Sequence, residues 1–214
     1  MPPERAAGLS VQGSGLTVPA ELRVPGRRIA VVGTSGSGKT FVARALACRL
    51  GVPFICNDSV IWGPGWTPTP EPVRFQRFEE ATRDAAWTYD GNLGSLAHAE
   101  DALILARANT LVWLDLPRRT VMWQLLRRTL RRVCTQEELW HANRESFRAS
   151  FLSRESILWW AWRTYRLRRR QYQAITVDPA WSHLVQIRLH SRRQVDRWLS
   201  RVAPPPVTAR KQES

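Results

Sequence analysis

The feature that most constrains this sequence is a glycine-rich loop between a predicted strand and a predicted helix. An apolar β-branched run at residues 29–32 predicts a buried strand, and residues 33–40 (GTSGSGKT) follow it directly. Apolar residues then recur at helical spacing from residue 41 to residue 46. The loop has the spacing G-x-x-x-x-G-K-[ST] in the strand-to-helix context of a phosphate-binding loop, so we predict that it binds a nucleoside triphosphate.

Each residue type in the loop has a chemical reason. Gly33, Gly36 and Gly38 allow the backbone to curl so that successive amide N–H groups point at one anion, and the N-terminus of the following helix attracts the same anion. Lys39 can reach the β- and γ-phosphates, and the Thr40 hydroxyl can bind a Mg²⁺ held between them. We therefore expect ATP and Mg²⁺ as cofactors. The predicted nucleotide-binding residues are Gly33, Thr34, Ser35, Gly36, Ser37, Gly38, Lys39 and Thr40.

The rest of the chain alternates between strand and helix patterns. Apolar runs predict four further strands, at residues 52–56, 87–89, 110–116 and 184–189. This alternation predicts one α/β domain with a parallel, doubly wound sheet over residues 27–202. Residues 1–26, which lack periodicity, are predicted as a flexible leader, and residues 203–214 as a polar tail that begins with a proline run.

Aspartates follow two of the predicted strands. Ligands of open α/β sheets bind outside the carboxyl ends of the strands, where the sequence places Asp58 and Asp90. An acidic residue beside a phosphate loop can hold Mg²⁺, which is the role that we predict for Asp90 together with Thr40. For Asp58 two interpretations stay open, because the carboxylate either faces the ligand or caps the following turn.

Positive charge is concentrated in one region. The formal net charge is +14, and residues 118–170 hold fourteen Arg against four Glu. Within one predicted helix, Arg127, Arg128, Arg131 and Arg132 are spaced so that they form one stripe. Such a region can serve a phosphate-binding cleft, or it can contact the backbone of a nucleic acid.

Tryptophans accompany these arginines. Trp159, Trp160 and Trp162 begin the second Arg-rich helix, and a basic helix with tryptophans can attach to a membrane surface. We favour the alternative, in which the tryptophans pack in the core and the arginines are solvated. No apolar run is long enough to span a membrane, and residues 1–26 contain no apolar signal-peptide core, so we expect a cytoplasmic protein.

Six separated motifs occur in an order that resembles a known family. They are the phosphate loop, N-D-S-V-I-W followed by P-G-W, W-T-Y-D-G-N, L-V-W-L-D-L-P, L-L-R-R-T-L-R-R and R-L-H-S-R-R-Q-V. They resemble the bacterial adenylate-kinase-related P-loop proteins that are often labelled DNA topology modulation proteins. The resemblance implies a nucleoside-monophosphate-kinase fold with a five-stranded parallel sheet and an arginine-bearing helical lid at about residues 133–156.

The same resemblance implies roles for individual residues. Asp58 and the loop that carries Trp62 and Trp66 would face the acceptor, and Arg128 and Arg132 would cover the transferring phosphoryl group. Ser191 and Arg192 would lie against the base of the donor nucleotide, and Gln124 stands where such kinases often place an Arg against adenine.

Two functions follow as hypotheses. The first is ATP-dependent phosphoryl transfer to a nucleotide or small-molecule acceptor, with Lys39, Asp58, Arg128 and Arg132 as the catalytic residues. The second is an ATP-binding regulatory or nucleic-acid-binding protein without such kinase activity, in which the arginine region contacts phosphates. Strand-end aspartates favour the first hypothesis, because a nucleic-acid-binding face would need none of them.

Overall fold

Five strands form one parallel sheet in a computed structural model of the chain. The structure describes residues 22–93, 98–135 and 156–202, together with residues 19 and 96. The sheet has the order β2-β3-β1-β4-β5, so that β1 lies at its centre and all neighbours are parallel. The strands are β1 (Arg28–Gly33), β2 (Phe54–Cys56), β3 (Trp87–Gly91), β4 (Thr110–Leu114) and β5 (Val185–Leu189). The predicted five-stranded parallel sheet is thus confirmed.

Within the described residues, seven α-helices flank the sheet. They are α1 (Lys39–Leu50), α2 (Asn57–Ile61), α3 (Glu71–Ala81), α4 (Ala99–Arg107), α5 (Arg118–Thr135), α6 (Ile157–Val177) and α7 (Arg192–Arg201). Most predicted elements are present with ends shifted by a few residues, as expected from the fraying of helix ends and strand ends. The helical spacing of residues 73–86 predicts a helix that extends further than α3, which ends at Ala81.

The core lies on both faces of the sheet. Successive residues of β1 point to opposite faces, so Ala30 and Val32 pack in one cluster while Ile29 and Val31 pack in the other. The first cluster includes residues of α3, α4 and α6, and the second includes residues of α1 and α7. Burial on both faces explains why the central strands are apolar runs without alternation.

The strand order places the two neighbours of β1 beside the phosphate loop. Val31 pairs with Asp90 of β3, and Gly33 pairs with Leu114 of β4. Consequently the residues that end β3 and β4 flank the loop that leaves β1. Such a position, where neighbouring strands lead to opposite sides, is where α/β sheets bind their ligands.

Part of the predicted leader contacts this sheet. The Arg23 guanidinium donates to the Gln186 carbonyl (2.6 Å), and the Gly26 amide donates to the Thr110 hydroxyl (2.8 Å). The predicted tail at residues 203–214 and most of the predicted lid, residues 136–155, lie outside the described residues. Within the described part of the chain, no helix is long and apolar enough to cross a membrane.

Candidate functional site

The phosphate loop has a backbone that only glycine adopts without strain. Gly36 and Gly38 have φ values of 87° and 88°, in the left-handed region. A Cβ at Gly36 would lie 2.7 Å from the Val121 carbonyl oxygen and 2.8 Å from the Leu125 Cβ. The loop is therefore packed tightly against α5, which fixes the amides that are predicted to hold the phosphates.

Lys39 begins α1 directly after the loop and lies among charged side chains. Burial lowers the pKa of Lys39 from its ordinary value, although the carboxylates of Asp58 and Asp90 oppose that effect. The Arg128 guanidinium is also near enough to lower the Lys39 pKa further. Two carboxylates and two cations from four different elements thus meet at the carboxyl edge of the sheet.

Asp90 is buried at the end of β3 and accepts two hydrogen bonds. The Thr40 hydroxyl donates to its carboxylate, and the Asn57 amide N–H donates to its Oδ1 (3.4 Å). Burial raises the pKa of Asp90 above its ordinary value, and the charge of Lys39 and the Thr40 hydrogen bond only reduce that rise. Thr40 and Asp90 together present a hydroxyl and a carboxylate oxygen, which are ligands of the type that Mg²⁺ prefers.

Asp58 lies in the first turn of α2 and is half-buried. The cap position of α2 belongs to Cys56 and carries no side-chain hydrogen bond, so Asp58 does not cap this helix. The Tyr89 hydroxyl donates to the Asn57 Oδ1 (2.7 Å), and the Asn57 side chain donates to the Asp58 Oδ1 (3.5 Å). A chain of neutral groups thus leads from the core to Asp58.

The arginine stripe predicted on α5 divides into two rows. Arg128 and Arg132 are half-buried, one helical turn apart, whereas Arg127 and Arg131 are exposed. Arg128 lies close enough to Lys39 for its charge to lower the Lys39 pKa. Within the half-buried row, Arg128 is thus the arginine that the structure places beside Lys39.

The other side of the phosphate loop carries the residues predicted to face the nucleotide base. A Cβ at Gly38 would lie 3.2 Å from Arg192 Nη1 and 3.8 Å from Gln124 Oε1. The Arg192 guanidinium also lies over the Phe41 ring, 5.8 Å from its centroid. Ser191 caps α7 by accepting a hydrogen bond from the Gln194 amide (3.2 Å), so its hydroxyl already has a local role.

The structure adds a buried carboxylate that the sequence analysis missed. Asp115 follows β4 and forms a two-point ion pair with Arg169, with distances of 2.8 and 3.1 Å. Its Oδ2 also accepts hydrogen bonds from Arg188 (2.6 and 3.1 Å) and lies 3.3 Å from His190 Nδ1. Burial alone would raise the Asp115 pKa, but the bonds from Arg169 and Arg188 hold it below its ordinary value. The sequence signal was present, because Asp115 ends an apolar strand just as Asp90 does.

A second acidic pair lies at the start of α4 and was also missed. Glu100 and Asp101 are buried, and the Arg74 Nε donates to the Glu100 Oε1 (3.0 Å). Burial raises the pKa of Asp101 to about 6, with the charge of Glu100 adding to that effect. Acidic residues in the first turn of a helix are common without a function, which is why the sequence did not single them out.

A phosphate loop after the first strand of a parallel five-stranded sheet defines the P-loop class of nucleotide-binding folds. The sequence matches no protein-family model and no curated protein. The fold is similar to a gluconokinase from Sinorhizobium meliloti 1021, with 18% identity, 85% of this chain and 95% of that chain covered, and a TM-score of 0.43.

Two further solved structures are similar to a comparable degree. Shikimate kinase from Acinetobacter baumannii in complex with shikimate has 19% identity, covers 85% of this chain and 94% of its own, and gives a TM-score of 0.43. A sugar kinase from Janibacter sp. HTCC2649 has 17% identity, covers 83% and 92%, and gives a TM-score of 0.41. Because all three TM-scores are low, the function must be argued from this chain's own residues.

Proposed function

We propose that this protein transfers a phosphoryl group from ATP to a hydroxyl group of a small-molecule acceptor. The observation that carries the proposal is the meeting of Lys39, Thr40, Asp58 and Asp90 beside a phosphate loop. Phosphoryl transfer needs little covalent help from the protein, but it needs charge neutralisation and an acceptor held in line. This group of residues supplies both requirements.

The donor half of the site comprises the loop and its neighbours. The amides of residues 33–40 would hold the phosphates, and the Lys39 ammonium would neutralise charge on the β- and γ-phosphates. The Thr40 hydroxyl and the Asp90 carboxylate fit Mg²⁺, because both are oxygen ligands and they already lie within hydrogen-bonding distance of each other. When bound there, Mg²⁺ would neutralise charge on the phosphate oxygens.

The acceptor half is carried by Asp58. Its half-buried carboxylate is held in place by Asn57 and would accept the proton of the acceptor hydroxyl. Arg128, near Lys39, would stabilise the charge on the transferring group, and Arg132 would extend that stabilisation by one helical turn. Arg192 would contact the donor nucleotide on the far side of Gly38, with Ser191 fixing the start of α7.

A coupled assay of ADP release tests the proposal. The panel of acceptors should include sugars, polyols, small hydroxy acids, nucleosides and nucleoside monophosphates. We expect acceptor-dependent ADP release that Lys39→Ala abolishes. Thr40→Ser, which keeps the hydroxyl, should retain most of the turnover, whereas the isosteric Thr40→Val should lose it. Turnover that needs no acceptor, or none with any acceptor, would contradict the proposal.

The same panel separates the alternatives. If only nucleoside monophosphates are phosphorylated, the chain acts as the resemblance to adenylate-kinase-related proteins suggests. If ATP binds without any turnover, a regulatory role replaces the kinase role. Asp58→Asn distinguishes a proton acceptor from a structural group, because it should lower kcat while leaving the affinity for ATP unchanged.

A further inference from the structure

Helices α5 and α6 present arginines and tryptophans to solvent. α5 carries six arginines and α6 carries five, and neither helix contains Asp or Glu. The two helices lie side by side, because Arg118 donates to the Trp162 carbonyl (3.0 Å) and stacks on the Trp162 ring. The first turns of the two helices are therefore in contact, and the basic exposed residues of both lie on the same pair of packed helices.

The tryptophans of these helices are not core residues, contrary to our sequence-based interpretation. Trp123 is 66% exposed, Trp159 is 51% exposed and Trp162 is 48% exposed, whereas Trp160 is half-buried. The core positions of α6 are taken by Ala161 and by residues further along the helix. Large apolar side chains exposed as neighbours commonly mark an interaction surface.

On α6 the exposed residues recur three to four positions apart, which places them on one face. Within the part of the chain that the structure describes, Arg163 and Arg170 of this face make no hydrogen bond or ion pair, whereas the exposed Arg169 pairs with Asp115. We name as the arginine–tryptophan face the exposed residues Trp123, Arg127, Trp159, Arg163, Leu167 and Arg170.

We propose that the arginine–tryptophan face binds the surface of an anionic phospholipid bilayer. Charge complementarity selects an anionic partner, because the face is basic and both helices lack acidic residues. Tryptophan and leucine can insert at the boundary between headgroups and acyl chains while the arginines contact lipid phosphates. The proposed activity would then take place next to a membrane surface, although the binding does not depend on that activity.

Two features favour a bilayer over a nucleic acid. Leu167 is 56% exposed within the face, and an aliphatic side chain gains little from a phosphodiester backbone but is buried at a bilayer surface. Proteins that bind single strands usually hold them in a charged groove, whereas the outer faces of helices are convex. A flat, deformable lipid surface matches such a face better.

Sedimentation of the full chain with lipid vesicles tests this proposal. The probes are vesicles of phosphatidylcholine alone and of phosphatidylcholine mixed with phosphatidylglycerol, each at low and physiological salt. We expect binding to the mixed vesicles only, weakened by salt. Removing one arginine near an anionic surface costs about fivefold in partitioning, so Arg127→Gln/Arg163→Gln/Arg170→Gln should weaken binding on the order of a hundredfold.

A matched control removes the same charge elsewhere. Arg27→Gln/Arg83→Gln/Arg193→Gln also removes three exposed arginines, and it should leave vesicle binding nearly unchanged. Trp123→Ala/Trp159→Ala should weaken binding while the net charge stays constant. Circular dichroism melting of each variant verifies the fold.

Three outcomes would overturn the proposal. The first is no partitioning onto anionic vesicles, as expected if another segment of the chain covers the face. The second is an equal loss of vesicle binding in both triple arginine variants, which would show that binding depends on the net charge of the protein and not on this face. The third is binding of single-stranded or duplex DNA without vesicle binding, which would assign the face to nucleic acid.

Discussion

Asp90 lies at the end of β3 and Asp115 follows β4, the two strands that pair with β1, and their pKa values are shifted in opposite directions. Asp90 receives hydrogen bonds from a hydroxyl and an amide and lies near Lys39, and these contacts lower its pKa. Burial has the larger effect, so the Asp90 pKa lies above its ordinary value. Asp115 receives bonds from two guanidinium groups, which hold its pKa below the ordinary value. The same local sequence pattern therefore produces two different carboxylates. Asp90 can still bind a cation, whereas the charge of Asp115 is already balanced by two guanidinium groups.

This contrast indicates different roles. Asp90 lies near Lys39 but forms no ion pair within the described residues, so it can bind a cation that arrives with the substrate, as the proposed Mg²⁺ would. A carboxylate shared by Arg169, Arg188 and His190 connects α6, β5 and the segment that leads into α7. We therefore expect Asp90 to matter for turnover and Asp115 to matter for stability.

The largest expected effect concerns turnover. Asp90→Asn should lower kcat by about a hundredfold or more, the size typical for loss of a group that stabilises developing charge. Asp115→Asn should lower it by about tenfold or less, because it acts only through the position of its neighbours. ADP release with an acceptor from the panel measures both. Equal losses in the two variants would remove the distinction.

The second effect concerns the free energy of unfolding. Removing one partner from a fully buried ion pair costs about 3–5 kcal/mol. Water can solvate Arg169 and Arg188, which are partly exposed, so Asp115→Asn should cost about 2 kcal/mol. Asp90→Asn should change stability by less than about 0.5 kcal/mol, because its charge is poorly matched. Urea titration of both variants measures the difference, and a larger loss in Asp90→Asn would reverse the assignment.

The pH dependence of stability should have opposite signs for the two residues. The Asp115 pKa is lowered on folding, so its stabilisation is present above the unfolded pKa of about 4 and is lost as the pH falls. The Asp90 pKa is raised, so its contribution is present below about pH 4 and is lost as the pH rises through the folded pKa.

Urea titrations over this pH range test the signs. The stability advantage of the wild type over Asp115→Asn should shrink towards low pH, whereas its disadvantage against Asp90→Asn should grow towards neutral pH. Parallel curves for the wild type and both variants would show that neither carboxyl group titrates as the structure indicates.

The smallest difference between two variants concerns the buried tyrosine hydroxyls. Tyr89→Phe removes the hydrogen bond to Asn57 (2.7 Å) and should cost about 1 kcal/mol of stability. Tyr172→Phe is a matched control, because its hydroxyl donates to the Gly33 carbonyl over a longer distance (3.3 Å) and should cost less. Thermal melting of both variants measures the difference, and a larger loss for Tyr172→Phe would contradict this ranking.

Much of the fold could be predicted from the sequence, because its signals are local. The strand, glycine loop and helix at residues 28–50 follow from apolar runs and glycine spacing, and β3 and β4 follow in the same way. The partners of Asp115 could not be predicted, since Arg169 and Arg188 lie more than fifty residues away in the chain. Only the strand order brings these residues together.

The tryptophans of α6 show a different limit. Burial statistics favour a core position for a large aromatic side chain, but the sheet offers α6 only one contact face, and Ala161, Tyr172 and Ile175 occupy it. The prediction of a helix at α6 was correct, but the prediction that its tryptophans lie on the buried face was wrong for Trp159 and Trp162. Similarly, four of the six arginines on α5 were predicted as one stripe, whereas two of these four are half-buried and two are exposed.

Calorimetric titration with ATP, in the presence and absence of Mg²⁺, tests the central claim most directly. We predict that the wild type binds ATP more tightly with Mg²⁺, that Asp90→Asn loses this Mg²⁺ dependence, and that Asp115→Asn retains it. Lys39→Ala should abolish binding. Absence of heat with the wild type, or identical affinities in the wild type and Lys39→Ala, would contradict the proposal that this loop and its strand-end carboxylate form a nucleotide site.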